Sequence, residues 1–311
     1  KFDVILTIDK RGSKYINKNK YNYKIIESPR LDLNPLKLPF TLINLFLSII
    51  KSIFILKDNK IDILLGTGGY MSVPVCIAAR FLNIKIYLFE PNMVLGRANY
   101  FLLKYCTKLL CYSNEITNFP KKYKKKIFVI NYILRKNIYD FGKNIKDKIF
   151  NKLNLLIIGG SQGAKVFDDQ IKNSIISLSK NNKIKVYHQA NFINFESLKS
   201  SYEENNIECE LFDFEENIFK YIDQSNLAIT RAGASTLSEL VYLKVPFIAI
   251  PYKFATDDHQ FQNAKRYENN NCCWIIKENE FNNDKLTTLL NYIIENKYEY
   301  EIKKKNLDQI S

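Results

Sequence analysis

Apolar positions along this chain come in short uninterrupted runs, and between the runs the spacing lengthens to the three-and-four rhythm of helices. Runs at residues 2–8, 61–66, 84–90, 109–112 and 127–130 predict five strands. After a Lys/Asn/Asp-rich stretch at 137–152, runs at 154–158, 184–188, 209–214, 227–230, 246–250 and 274–277 predict six more. Strands alternating with helical patterns are the signature of βα units in a parallel sheet. Two such series predict an α/β chain of two Rossmann-like domains, residues 1–137 and 138–311, with a cleft between them.

The most apolar stretch, residues 36–56, carries Phe40, Leu42, Ile43, Leu45, Phe46, Leu47, Ile49 and Ile50 close together. Pro39, Asn44 and Lys51 interrupt it, leaving fewer than the ~18 apolar residues in a row that a membrane span needs. The favoured expectation is a buried helix packed on the sheet. The competing one is a membrane-facing patch, because the apolar residues cover more than one helical face and Lys10, Lys14, Lys18, Lys20, Lys24 and Lys51 lie near in sequence.

Composition changes this picture little. Apolar residues at 46% and charged residues at 25% describe a folded globular chain. The formal charge of +14 points to an anionic partner, yet only seven of the 46 cations are Arg, the residue suited to bidentate phosphate and base recognition. A nucleic-acid role is therefore not expected, whereas an anionic membrane surface is. Six Cys without a CxxC pair and only two His give no zinc spacing, so neither a metal nor a cofactor is predicted. The cysteines read as buried hydrophobes in a reducing cytoplasm. The opening run resembles a strand and not a signal peptide, and with no initiating Met, residues upstream are expected.

Glycine is scarce, ten in 311, and eight of the ten fall in four places: Gly66, Gly68 and Gly69; Gly96; Gly159, Gly160 and Gly163; and Gly233. Gly66-Thr67-Gly68-Gly69-Tyr70 and Gly159-Gly160-Ser161-Gln162-Gly163 each lead from a predicted strand into a predicted helix, where free backbone amides and the helix dipole favour an anion. Neither is a Walker A or a full GxGxxG motif, and each alone would equally suit a structural turn. Arg231-Ala232-Gly233-Ala234-Ser235-Thr236-Leu237-Ser238-Glu239 forms a third strand-to-helix turn, with amides placed for a diphosphate and Glu239 for two ribose hydroxyls, or else a plain N-cap. Asp257-Asp258-His259-Gln260 opens a fourth helix, with its acids suited to the helix start and His259 and Gln260 aimed at the ligand edge of the sheet.

Together these motifs resemble the MurG family of peptidoglycan glycosyltransferases, which add N-acetylglucosamine to an undecaprenyl-linked muramyl-peptide, lipid I. The matching residues run along nearly the whole chain: Gly68-Gly69-Tyr70-Met71-Ser72-Val73-Pro74; Glu90 and Asn92 with Gly96 and Asn99; Gly159 to Ala164; Arg231-Ala232-Gly233-Ala234 with Ser238-Glu239; and Asp257-Asp258-His259-Gln260 with Asn263-Ala264. The resemblance implies a GT-B fold, UDP-N-acetylglucosamine held mainly by the C-terminal domain, and the undecaprenyl-diphosphate-linked acceptor held by the N-terminal one. Carried over by position, Asn92 meets the donor sugar, Arg135 and Ser161 the phosphates or sugar, and the backbone near Glu215 the uracil. Ala234, Ser235, Thr236, Leu237 and Ser238 meet the diphosphate, Glu239 the ribose and Gln260 the sugar hydroxyls. Gly68, Gly69, Tyr70 and Ser72 face the acceptor. The implied place of work is the cytoplasmic face of the bacterial inner membrane, as a peripheral protein.

The family's first Gly-rich loop, whose His is a favoured base, has no counterpart here, and both ends read as shortened. Phe89 and Pro91 also flank Glu90 where the family has His and Gln, which leaves Glu90 as the motif carboxylate for general-base work in an inverting transfer. Two rivals stay open: a non-catalytic UDP-sugar-binding protein, and a GT-B enzyme with another acceptor.

Overall fold

The computed structural model describes residues 3–310 apart from 15, 18, 19, 30–33, 35, 143–151, 160–164 and 214. It divides into two compact units, Lys1–Asn131 and Tyr132–Ser311.

In unit 1, β1 (Leu6–Ile8) and β2 (Tyr23–Ile25) form a parallel pair. Helix α1 (Leu38–Asp58) then leads to β3 (Ile63–Gly66), α2 (Gly69–Phe81), β4 (Lys85–Glu90), α3 (Arg97–Leu102), β5 (Lys108–Cys111) and β6 (Ile127–Val129). Strands β3 to β6 pair in chain order, all parallel. Cys76, Ile86, Leu88 and Leu109 form the centre of the core between this sheet and its helices.

Unit 2 runs α4 (Lys136–Gly142), β7 (Leu153–Ile158), α5 (Lys165–Ser179), β8 (Ile184–Gln189), α6 (Phe195–Glu204), β9 (Glu208–Phe212), α7 (Phe219–Gln224) and β10 (Leu227–Thr230). It continues with α8 (Ala234–Tyr242), β11 (Phe247–Ala249), α9 (His259–Asn269), β12 (Cys273–Ile275), α10 (Asn283–Glu295) and α11 (Lys297–Ile310). Its six strands are parallel in the order β12-β11-β10-β7-β8-β9, the doubly wound order whose direction reverses between β7 and β10. Leu155, Ile157, Leu227, Ile229 and Ile248 are wholly buried. A sheet covered on both faces calls for such unbroken apolar runs.

All eleven predicted strands are present, with ends shifted by a few residues; the first shrinks to Leu6–Ile8. Strand β2 was not predicted, since Tyr23-Lys24-Ile25 sits in a Lys/Asn/Tyr-rich stretch without an apolar run. The units part at 131/132, a few residues before the expected 137/138, because the segment after Tyr132 is bonded into unit 2: the Tyr132 and Tyr267 hydroxyls lie 3.2 Å apart.

Helix α1 corrects the expectation of a buried core helix. It packs along α2 and sets Leu56 and the half-buried Ile49, Ile53 and Ile55 against the unit 1 core, with Thr41, Ser48 and Ser52 buried beside them, but Phe40, Leu42, Ile43, Phe46, Leu47 and Phe54 are exposed. The inward hydroxyls donate to the helix's own carbonyls, Thr41 to Lys37, Ser48 to Asn44 and Ser52 to Ser48, so no polar atom there is stranded. By length and composition α1 is long and apolar enough to cross a bilayer, contrary to the reading from its polar interruptions.

Candidate functional site

At the carboxyl edge of the unit 2 sheet, β7 and β10 lie side by side with Ile158 opposite Thr230. The Arg231 amide donates to the Ile158 carbonyl at 3.3 Å. Gly159 and Arg231 therefore follow their strands side by side at the sheet's switch point, where open α/β sheets bind ligands. The Arg231 side chain is framework: it bonds the Ile250 carbonyl at 3.1 Å and pairs with Glu278 at 2.7 Å, tying β10 to the strand beside it.

Gly233 precedes α8 with an ordinary φ of −69°, so the expected need for a glycine turn conformation is not met there. A Cβ at Gly233 would touch nothing within 4 Å. What its bareness leaves is room for another molecule against the backbone. The first amides of α8 have no intrahelical acceptor, which suits Ala234, Ser235 and Thr236 to an anion. Leu237 differs, since its amide already donates to the Gly233 carbonyl at 3.0 Å and its side chain is buried. Ser238 is buried too, its hydroxyl bonded to the Ser235 carbonyl at 2.8 Å.

Glu239, in the second turn of α8, carries the one charge of this helix terminus inward. Its side chain is 6% exposed and is met by Arg135, whose Nη2 and Nε donate to Oε1 at 3.0 and 3.3 Å. Burial pushes the Glu239 carboxyl above its ordinary range, while the Arg135 guanidinium pulls it back. Arg135 Nη1 donates to the Glu216 carbonyl, so one guanidinium joins the start of α4, the loop before α7 and α8.

In unit 1 the turn from β3 into α2 uses Gly68 and Gly69 at φ +82° and +71°, the left-handed region that favours glycine. A Cβ on Gly68 would also approach the Asn99 amide to 3.2 Å. Tyr70 is held by its carbonyl, which accepts from the Ser28 hydroxyl at 3.0 Å, and by its own hydroxyl, which donates to Asp9 at 3.4 Å. Ser72 donates to the Gly69 carbonyl at 2.8 Å.

At the end of the next strand, Glu90 is buried and accepts four hydrogen bonds. Oε1 takes the Asn92 amide at 3.2 Å and the Asn92 side chain at 3.0 Å; Oε2 takes the Gly96 amide at 2.8 Å and the Asn99 side chain at 2.9 Å. A carboxylate offers about four lone-pair sites, so this one is fully engaged in shaping the 92–99 loop. Proton abstraction by Glu90 would require one of these four donors to give way.

The sequence matches the glycosyltransferase family 28 N-terminal domain over residues 1–111 and the family's C-terminal domain over residues 154–310. It is 51% identical over 98% of its length, and 85% of the relative's, to the UDP-N-acetylglucosamine--N-acetylmuramyl-(pentapeptide) pyrophosphoryl-undecaprenol N-acetylglucosamine transferase of Pelagibacter ubique. The chain belongs to the MurG family. The Rickettsia felis enzyme of the same name is 33% identical over 95% of this chain and 84% of its own. For the fold, a crystal structure of Acinetobacter baumannii MurG superposes with a TM-score of 0.77 over 98% of this chain and 85% of that one, at 23% identity.

Set on the MurG residues carried over earlier, unit 2 brings Arg135, Glu239 and the Glu215–Asn217 loop together, with Ala234, Ser235 and Thr236 on the same helix as Glu239. Glu215 is paired with Lys220 at 2.9 Å and accepts from the Asn217 amide at 2.8 Å, so it shapes the loop. Gln260 accepts the Tyr252 amide at 3.0 Å. Asp257 and Asp258 both adopt left-handed φ, 54° and 56°, and stand at the start of α9 as expected, Asp258 in the N-cap position without a side-chain hydrogen bond to the helix. Ser161 lies outside the described residues. Sequence reasoning missed the Glu216 carbonyl, which as backbone leaves no trace in residue type, and Asp9. Asp9 accepts the Gly12 amide at 2.6 Å and pairs with Arg11 at 3.0 Å beside Tyr70; its Asp-x-x-Gly spacing was the available sign.

Proposed function

We propose that this chain is an inverting glycosyltransferase that moves N-acetylglucosamine from UDP-N-acetylglucosamine to the muramyl 4-hydroxyl of undecaprenyl-diphosphate-linked lipid I, giving lipid II. The observation that carries the donor half is the start of α8 at the switch point of the unit 2 sheet, with Glu239 inward and Gly233 open beside it. On this reading Ala234, Ser235 and Thr236 receive the diphosphate, Glu239 the ribose hydroxyls and the loop at Glu215 the uracil. The acceptor oxygen forms the new bond to the anomeric carbon and releases its proton to solvent, the bond to the diphosphate breaks, and UDP leaves with the electron pair. Oriented amides meeting that developing charge need no reorganisation. In unit 1, Gly68, Gly69, Tyr70 and Ser72 serve the acceptor diphosphate, and Glu90 orders the loop that carries Asn92 and Asn99.

The exposed apolar face of α1 suits a peripheral enzyme on the cytoplasmic face of the inner membrane, where the acceptor's lipid resides. The net charge of +14 favours an anionic surface. Transfer of labelled N-acetylglucosamine from UDP to a soluble lipid I analogue, with inverted anomeric configuration in the product, is the expected result. UDP binding without transfer would mean the non-catalytic reading, and transfer only to a different acceptor would replace lipid I.

A further inference from the structure

We propose that Arg135 serves the donor indirectly, as a positioning residue that holds the Glu239 carboxylate in place for the ribose hydroxyls, and not by gripping the diphosphate. The inference rests on the donor reading above. All three kinds of guanidinium nitrogen are engaged within unit 2: Nε and Nη2 on Glu239 Oε1, and Nη1 on the Glu216 carbonyl. Both bonds to Glu239 fall on one oxygen, so Oε2 is the oxygen left for a ligand.

The segment that carries Arg135 is fastened on both sides of it. The Leu134 amide donates to the Tyr139 hydroxyl at 3.1 Å, the Asn137 side chain donates to Asn217 at 2.9 Å, and the Tyr139 ring meets Tyr242 of α8 edge-on at 5.5 Å. A Cβ on Gly142 would collide with the Tyr242 ring, so α4 sits close against α8. Reaching for a phosphate would break the guanidinium's bonds and strip a buried carboxylate of its counter-charge, an arrangement strongly disfavoured in a protein interior.

The electrostatics agree with the geometry. Burial drives the Glu239 carboxyl upward and Arg135 opposes it, so removing Arg135 lets it climb further. Among the described residues, most other charged groups around α8 have partners of their own. Lys244 pairs with Asp308 of α11, Arg231 with Glu278, Lys265 with Glu268 on α9, and Glu215 with Lys220, and Arg266 of α9 lies over the Tyr267 ring; α4 also carries Lys136 and Asp140, and Glu216 meets Arg135 through its backbone carbonyl.

The test is calorimetric binding of UDP and, by competition, of uridine, to the full chain and to Arg135→Met, Glu239→Gln and the double variant, from mildly acidic to mildly alkaline pH. Arg135→Met is expected to weaken UDP and uridine by the same factor, about tenfold or more, as loss of a charged hydrogen bond does. Its loss should deepen as pH falls and Glu239 takes up a proton, a trend that sets in at lower pH in the native chain, where Arg135 opposes the upward push of burial. Adding Arg135→Met to Glu239→Gln should cost little more, since both act on one interaction.

A loss confined to UDP, equal at every pH, with uridine untouched, overturns the inference and leaves the donor site standing. Failure of the native chain to bind UDP removes the donor site itself. Should Arg135→Met not fold, Arg135→Lys decides the point: it keeps a charge but not the paired bonds, so equal, smaller losses for both ligands support the inference and a loss for UDP alone refutes it.

Discussion

Helix α1 in unit 1 and helix α8 in unit 2 distribute their side chains in opposite ways. Along α8 the apolar residues Leu237, Leu240 and Val241 are buried, and the carboxylate of Glu239 goes inward with them. Along α1 the inward side mixes Thr41, Ser48 and Ser52 with Leu56 and the half-buried Ile49 and Ile53, while Phe40, Leu42, Ile43, Phe46, Leu47 and Phe54 face out. The inward anion of α8 is met by Arg135 at the carboxyl edge of the sheet, the edge where open α/β sheets bind small molecules. The outward apolar face of α1 is exposed among the described residues, a surface of the kind that marks an interaction site. Composition alone would have ranked these helices the other way, α1 as core and α8 as the mixed surface helix.

The comparison breaks most visibly if the face of α1 is removed. Phe40, Phe46 and Phe54 are 70%, 62% and 61% exposed. Placing each ring in a bilayer interface is worth roughly 1.5–3 kcal/mol, so replacing all three by Ser should lower binding to vesicles of anionic phospholipid more than about a hundredfold. The unfolding temperature should stay where it is. Sedimentation with vesicles and a thermal melt decide the matter: a protein that loses stability and keeps its vesicle binding would show that these rings pack on protein.

The inner face of α1 gives the smaller counterpart. Ser52 is wholly buried against the unit 1 core. Ser52→Leu should overpack that contact and cost about 1–3 kcal/mol, read as a lowered urea midpoint, whereas Leu47→Ser on the exposed side should stay within about 0.5 kcal/mol of native. Equal effects at both positions would mean that α1 has no fixed inward side.

Much of this was readable in the residues, and the two helices show where reading stopped. The strands of unit 2 were legible because a parallel sheet covered on both faces must be written as unbroken apolar runs, and 227–230 was placed to the residue. The glycine turns were legible because glycine is rare here and clusters where strands end. What α1 faces was not legible, since an apolar residue looks the same in a core and at a lipid surface. Nor was the engagement of Glu90. A carboxylate beside Asn92, Gly96 and Asn99 reads as a base until the coordinates show four donors converging on it. Arg135 was picked out through family position, and its bond to Glu239 spans 104 residues of sequence with no local pattern to announce it.

The finest difference between the helices lies in what the buried charge of α8 does to stability. Burial holds the Glu239 carboxyl above its ordinary 4.5 despite Arg135. An acid raised on folding gives its full contribution to stability below the unfolded value and loses it as pH climbs through the folded value. Gln at this position stays neutral throughout, and the guanidinium it leaves behind, 43% exposed, can turn to water. In the absence of ligand, Glu239→Gln should therefore melt with the native chain at low pH, pull slightly ahead as pH rises above 4.5, and hold a constant lead once Glu239 is fully ionised. Saturating UDP should reverse the order at neutral pH, because only the native carboxylate takes the ribose and ligand binding adds to the stability of the form it prefers. A variant that melts below the native chain at every pH, with or without UDP, would make Glu239 a structural anchor for Arg135 and remove the contrast with α1, whose exposed face is indifferent to pH.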